Sequence, residues 1–279
     1  MPELTEQFLD LAEGRTHYRL DGPVEGPAVV FIPGATLPMF VWDGLADALA
    51  ADGYRVLRYD LFGRGASAAP RVAYDASVFD GQLTELIDRL LPSRPVHMVS
   101  LAFGALIAAR FADLRPERVA SLTYIAPDGF GVAMSPAVRL MRWPVIGEVL
   151  LAVAGTGMLL KRLSDYSERP ELLQALRSRF RPYVYRPGFQ RSVLSSVRRM
   201  PIHDAAPLYR RNDERGIPSL VLWGREDRVT PLPEPAHLRA ALPNSELRVF
   251  EGTGHLPHAE HPAEVATALT EFLQSTHSR

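Results

Sequence analysis

Short, almost wholly apolar runs alternate along most of this chain with longer stretches of helical spacing. Residues 28–32, 55–59, 96–99, 122–125 and 219–223 carry apolar side chains at most positions, the pattern of strands buried in a parallel sheet. Residues 16–20 and 247–250 read as two further strands. Between the strands, apolar side chains recur at three- and four-residue intervals. This happens over 42–51 (Trp42, Leu45, Ala46, Leu49), 78–91 (Val78, Leu83, Leu86, Ile87, Leu90, Leu91), 102–114, 234–241 and 263–274. That spacing predicts amphipathic helices. The alternation predicts an α/β fold with a mostly parallel central sheet flanked by helices.

The rhythm stops between 134 and 206. No strand is legible there, prolines punctuate the segment and arginines crowd it, among them Arg162, Arg169, Arg186, Arg191 and Arg198. It reads as a helical cap inserted between core segments 1–133 and 207–279. The cap arginines read as a solvated helix face, with a grip on an anionic substrate as the sharper alternative. Within the insertion, residues 149–160 form an uncharged apolar run of 12 residues, too short to cross a bilayer. A buried or lid helix is expected, and a lid that touches lipid is the sharper alternative.

Composition bounds the rest. A chain of 279 residues, 47% hydrophobic and 23% charged, can build one large core with an insertion. A net charge of −1 gives no global field to recruit nucleic acid or an anionic membrane. The expected partner is a small hydrophobic substrate, with no nucleic acid, no stable membrane insertion, and a monomer or homodimer as the working unit. Cysteine is absent, which excludes disulfides, thiolate catalysis and cysteine-ligated metals. Residues 1–10 are acidic and lack the basic and apolar regions of a signal peptide, so a cytoplasmic location is expected. No cofactor is called for.

The candidate chemistry lies where strands run into loops. In Ser100-Leu101-Ala102-Phe103-Gly104 a buried strand passes straight into a helix, the setting of a G-x-S-x-G nucleophile elbow. Position 102 holds alanine where serine is expected. Asp227 follows one strand, in Gly224-Arg225-Glu226-Asp227, and His255 follows the next, in Gly252-Thr253-Gly254-His255. A carboxylate and an imidazole so placed can meet at one edge of the sheet as acid and base. Asp128, after another strand, is a weaker rival for the acid. Asp60 reads as a brace for the turn through Gly63 and Gly65. His258 and His261 read as surface histidines rather than metal ligands, since no carboxylates accompany them and Pro257 and Pro262 interrupt any helix.

These residues, with Arg58 to Ser67 and Phe111-Ala112 through Val119, resemble the α/β-hydrolase superfamily over nearly the whole chain, and most of all its capped esterase, lipase-like and carbon–carbon hydrolase members. The resemblance implies the α/β-hydrolase fold and a triad in the order nucleophile, acid, histidine: position 102, Asp227, His255. It implies an oxyanion hole from the backbone N–H groups of Ala35 and Phe103, and a substrate pocket touching Gly34, Thr36, Leu150, Met158 and Leu256. The function expected is a serine-type hydrolase acting through an acyl-enzyme on a hydrophobic carboxylic ester, thioester or lactone. It would be inactive as written because a serine-to-alanine replacement at Ala102 removed the nucleophile. Ser100 lies before the turn tip and is a poor substitute. Two other readings stand beside this one. One is a lyase, cyclase or cofactor-free oxygenase using the His255/Asp227 pair as general base. The other is a non-catalytic ligand-binding protein.

Overall fold

The computed structural model describes residues 7–92, 94–131 and 136–277. Its centre is an eight-stranded sheet in the order β1-β2-β4-β3-β5-β6-β7-β8. The strands are β1 (Gln7–Leu11), β2 (Gly14–Asp21), β3 (Ala28–Ile32), β4 (Arg55–Tyr59), β5 (Val96–Leu101), β6 (Val119–Ile125), β7 (Ser219–Gly224) and β8 (Glu246–Phe250). β1 and β2 pair antiparallel, as do β2 and β4, and every other pairing is parallel. Every residue of β3, β5 and β7 is buried, as continuous apolar runs demand. β1, half exposed and at the sheet's edge, carried no such signal.

Helices α1 (Asp43–Ala51), α2 (Ala76–Leu90) and α3 (Phe103–Leu114) cross between the early strands. α2 starts where Asp75 accepts hydrogen bonds from the N–H groups of Ser77 (3.0 Å) and Val78 (3.3 Å), a side-chain N-cap. Its buried face holds Phe79, Gln82, Leu83, Leu86 and Ile87. Gln82 donates to Thr16 Oγ1 and to the carbonyl of Asp60, and accepts from the Phe62 N–H, so this buried amide is satisfied. α3 begins against the end of β3. A Cβ on Gly104 would meet the carbonyl oxygens of Ile32 at 2.5 Å and Pro33 at 2.6 Å, an approach only glycine permits.

After β6 the described residues run through helices α4 (Pro136–Met141), α5 (Ile146–Leu150), α6 (Thr156–Arg162), α7 (Pro170–Val184) and α8 (Phe189–Arg199). α5 and α6 are continuous through one turn of wider i→i+5 spacing over Leu151–Gly155. The expected boundary at 133 and 134 lies outside the described residues. α9 (Ala206–Glu214) packs on α3, and α10 (Pro235–Ala241), α11 (Pro257–Glu260) and α12 (Pro262–His277) complete the chain. Pro257 and Pro262 do not prevent helix there. Each occupies the first position of its own short or long helix, where a missing N–H costs nothing.

The inserted helices grip the loop after β4 through polar contacts. Ser192 Oγ donates to the Gly63 carbonyl (3.0 Å), Ser195 Oγ accepts from the Tyr74 N–H (3.0 Å), and Arg186 and Arg191 donate to the carbonyls of Gly65, Ala69 and Pro70. Arg179 pairs with Asp43 and Arg198 with Glu148. Several arginines expected to line a solvated face are therefore latches onto backbone carbonyls and carboxylates. No described helix is long and apolar enough to cross a membrane.

Candidate active site

β5 ends in a turn that the backbone makes sharply. Ala102 has φ +46° and ψ −111°, a conformation rarely adopted by a residue bearing a Cβ. Its N–H donates to the Ile125 carbonyl (2.9 Å), and its carbonyl accepts from the N–H groups of Ala105 (2.9 Å) and Asp128 (3.3 Å). These bonds tie the turn to the end of β6 on one side and to α3 on the other. Ser100 is buried in β5 and donates to the Thr123 carbonyl, so its hydroxyl is spent inside the sheet.

Asp227 and His255 meet at the same edge. Nδ1 of His255 lies 2.8 Å from Asp227 Oδ2. Asp227 Oδ1 accepts from the N–H groups of Val229 (2.8 Å) and Thr230 (2.9 Å), so one oxygen anchors the loop and the other addresses the imidazole. Thr230 Oγ1 stands 3.1 Å from the same Nδ1, and the Thr230 carbonyl accepts from Trp223 Nε1. Both loops pass close together: a Cβ on Gly224 would lie 2.0 Å from the Gly254 carbonyl oxygen. Both hydrogen bonds of the His255 ring, with Asp227 and Thr230, are made through Nδ1.

Ala102, Asp128 and His255 line one cavity of about 680 Å³, together with Gly34, Ala35 and Thr36 from the loop after β3 and Phe103 at the start of α3. Its roof is the inner face of the inserted helices, with Leu151, Met158, Leu159 and Val193. Two expected pocket residues are elsewhere. Leu256 is fully buried in the core under the sheet, and Leu150 packs on the small cluster of Met141, Leu151 and Leu194. Both lie one position beside a residue that does line the cavity, His255 and Leu151 respectively. Val145 and Ile146, where α5 begins, are exposed. Cations at the lining include Lys161, Arg162 and Arg228.

Asp128 is half-buried at the lining. Burial pushes its carboxyl up to about 6, and nearby Asp227 pushes the same way, while His255 and Arg162 pull it back. It contacts the elbow through its backbone and does not replace Asp227 on His255 Nδ1. His258 contradicts its expectation. It is buried, not exposed, with its ring 4.6 Å from that of Trp42, and burial followed by the neighbouring His255 pulls its imidazole down to about 3. Asp60 does brace the Gly63–Gly65 turn: it accepts from the N–H groups of Met39 (2.7 Å) and Ala66 (2.8 Å) and pairs with His17 (2.7 Å).

Two residues that organise the cavity were not singled out from sequence. Arg64 is buried and its Nε donates to the Ala35 carbonyl (2.9 Å), while Nη1 reaches the Phe62 carbonyl and Nη2 reaches Ser196 Oγ on α8. Burial pulls its guanidinium down to about 10, still charged at neutral pH. It thus fixes the loop that presents the Ala35 backbone and ties it to the roof. Tyr166 accepts the His255 N–H on its carbonyl (2.8 Å), stacks its ring edge-on at 5.1 Å, and hydrogen-bonds Thr36 through its hydroxyl (2.9 Å). Arg64 was visible only as part of a turn motif. Tyr166 lies in an irregular segment with no periodic signal.

The model of the "Alpha/beta hydrolase family" matches residues 29–268. An uncharacterized protein of Mycobacterium tuberculosis is 28% identical over 98% of this chain and 82% of its own length. A 2-hydroxy-6-oxononadienedioate/2-hydroxy-6-oxononatrienedioate hydrolase of Cupriavidus pinatubonensis is 26% identical over 96% of this chain and 95% of its own. Among solved structures, a thermophilic esterase of Thermogutta terrifontis superposes with a TM-score of 0.79 at 24% identity, covering 97% of this chain and 99% of that one. A serine-to-alanine variant of a meta-cleavage product hydrolase from Pseudomonas fluorescens superposes at 0.78 and 22% identity, covering 96% and 97%.

Proposed function

Because this chain belongs to the alpha/beta hydrolase family, we propose that its site is built for acyl transfer from a hydrophobic carboxylic ester, thioester or lactone, and that it holds such a substrate without the oxygen that would attack it. The observation that carries this reading is the convergence of the Ala102 turn, the His255–Asp227 pair and the Ala35 loop on one cavity. In this reading the N–H groups of Phe103 and Ala35 receive the carbonyl oxygen. His255 Nε2 is the base for a hydroxyl at position 102, and Asp227 holds the imidazole in the tautomer that can accept that proton. The apolar roof of Leu151, Met158 and Leu159 takes the acyl or alkyl chain. Without a hydroxyl at 102 no acyl-enzyme forms, and the chain as it stands binds rather than turns over an ester. Loss of such a serine costs about 10⁶ in kcat in a protease where it has been measured.

Ala102→Ser tests the reading with aryl esters of increasing chain length. The variant should hydrolyse them with burst kinetics, while the parent chain stays at background. A folded, ligand-binding Ala102→Ser protein with no esterase activity would overturn it.

A second reading draws on Asp128. A carboxyl held partly protonated at neutral pH faces an imidazole in one cavity, which is an acid and a base able to work on a substrate directly, without a covalent intermediate. Turnover by the parent chain that is lost in both His255→Ala and Asp128→Asn would favour this lyase- or cyclase-type chemistry.

A further inference from the structure

The α4–α6 stretch has two apolar faces, and the cavity uses only one. Gly147, Leu151 and Gly155 recur at four-residue intervals on the inner side, where a Cβ on Gly147 would strike the Met141 carbonyl oxygen at 2.2 Å. On the outer side, Ile146, Val149 and Val153 recur at i, i+3 and i+7, and Val149 and Val153 are 55% and 83% exposed. Trp143 and Val145, at the corner leading into α5, are 65% and 72% exposed. Val145 has φ +68°, a costly conformation for a β-branched residue, and the corner it makes carries its own side chain and that of Trp143 into solvent. Contiguous exposed apolar residues of this kind mark an interaction surface.

Charge identifies the occupant. Arg139 precedes the corner, and the surface groove beside α5 is lined by Arg191, Arg198 and Arg199 against the single carboxylate of Glu148. That carboxylate is already held by both Nη atoms of Arg198. The whole chain is at −1, so this surface is a local cationic island. A second copy docking here by a two-fold axis would oppose the same cations to themselves. An apolar strip with tryptophan at one end and arginines beside it instead matches the boundary of an anionic bilayer.

We propose that this outer face of the inserted helices docks the protein on an anionic lipid surface, with Trp143, Val145, Val149 and Val153 in the headgroup boundary and Arg139 against lipid phosphates. The cavity roof is the other side of the same helices, so a hydrophobic substrate could pass from lipid to site over a short path. That last step rests on the proposed function, whereas docking does not.

Co-sedimentation of the full chain with phosphatidylglycerol vesicles and with phosphatidylcholine vesicles tests this. The chain should bind the first in a salt-sensitive way and the second weakly. Trp42 and Trp223 are fully buried, so a blue shift of tryptophan emission on binding reports Trp143. The double variant Trp143→Ser/Val153→Ser should keep the parent's thermal midpoint and lose at least tenfold in vesicle affinity. Arg139→Gln should lose about fivefold. Equal binding to both vesicle types, binding undiminished in the double variant, or a dimer dissociated by it with no vesicle binding would each overturn the proposal.

Discussion

Asp227 divides its two oxygens between tasks: Oδ2 lies 2.8 Å from His255 Nδ1, and Oδ1 accepts two backbone N–H groups from its own loop. The carboxylate can therefore set the imidazole tautomer without being free to rotate. In an Ala102→Ser background, Asp227→Asn should preserve the loop and lower kcat by about 10⁴, because an amide that donates to Nδ1 leaves Nε2 protonated. Ester hydrolysis rates with thermal midpoints measured in parallel check this. A loss of stability with kcat intact would assign Asp227 to the loop alone.

Asp60 should govern stability and not chemistry. Its carboxylate satisfies the buried Met39 N–H, the part-buried Ala66 N–H and His17, and a Cβ on Gly65, already at φ +52°, would fall 2.0 Å from Asp60 Oδ2. Asp60→Ala leaves those donors unpaired, at about 1–3 kcal/mol each. Denaturant unfolding should show a loss of at least about 3 kcal/mol, and Gly65→Ala a loss of comparable size.

The legible parts of this protein were those whose signal is local. β3 and β4 run over the residues their apolar runs predicted, and Asp227 and His255 stand out because each follows such a run. β1 escaped notice because an edge strand with one exposed face lacks a continuous apolar pattern. His258 was misread because three-residue spacing in a proline-flanked segment does not say which side packs, and Trp42, more than two hundred positions away, decides it. Arg64 and Tyr166 act through carbonyls of distant loops, which no side-chain pattern records.

Asp128 makes stability fall as pH rises. Its carboxyl sits at about 6 in the folded protein against 3.8 for a free aspartate, so the native state holds its proton more tightly. The neutral form carries no penalty below about pH 4, and the cost of ionisation grows between about 4 and 6. Asp128→Asn should match the parent at pH 4 and exceed it above pH 6, by about 1–3 kcal/mol with allowance for partial exposure. Unfolding at a series of pH values reads this directly. In the Ala102→Ser background the same variant should keep ester hydrolysis within a few-fold, unlike the outcome expected if Asp128 is the acid of a direct reaction.

His258 works in the opposite direction. Its imidazole falls to about 3 in the fold from 6.5 when free, so the native state resists protonation. The stability from burying the neutral ring is complete above pH 6.5 and drains away as pH falls toward 3. His258→Phe keeps a ring against Trp42 and removes the titration. Its stability relative to the parent should rise by about 2 kcal/mol between pH 7 and pH 5, and a flat difference across that interval would mean the ring is solvated.

Ala102 holds its strained turn with only a methyl group for a side chain. A residue with a Cβ in such a region costs about 1–3 kcal/mol, and glycine avoids that cost. The turn persists because its N–H and carbonyl are fixed by Ile125, Ala105 and Asp128. Ala102→Gly should therefore stabilise the protein by about 1 kcal/mol once the extra entropy of glycine in the unfolded chain is subtracted, while Ala102→Ser leaves stability unchanged and gains activity. Calorimetry on the three proteins separates the two effects. A Gly variant less stable than the parent would mean that the Cβ packs against the cavity wall strongly enough to offset the strain, and that the site is shaped around a methyl group, not around an absent oxygen.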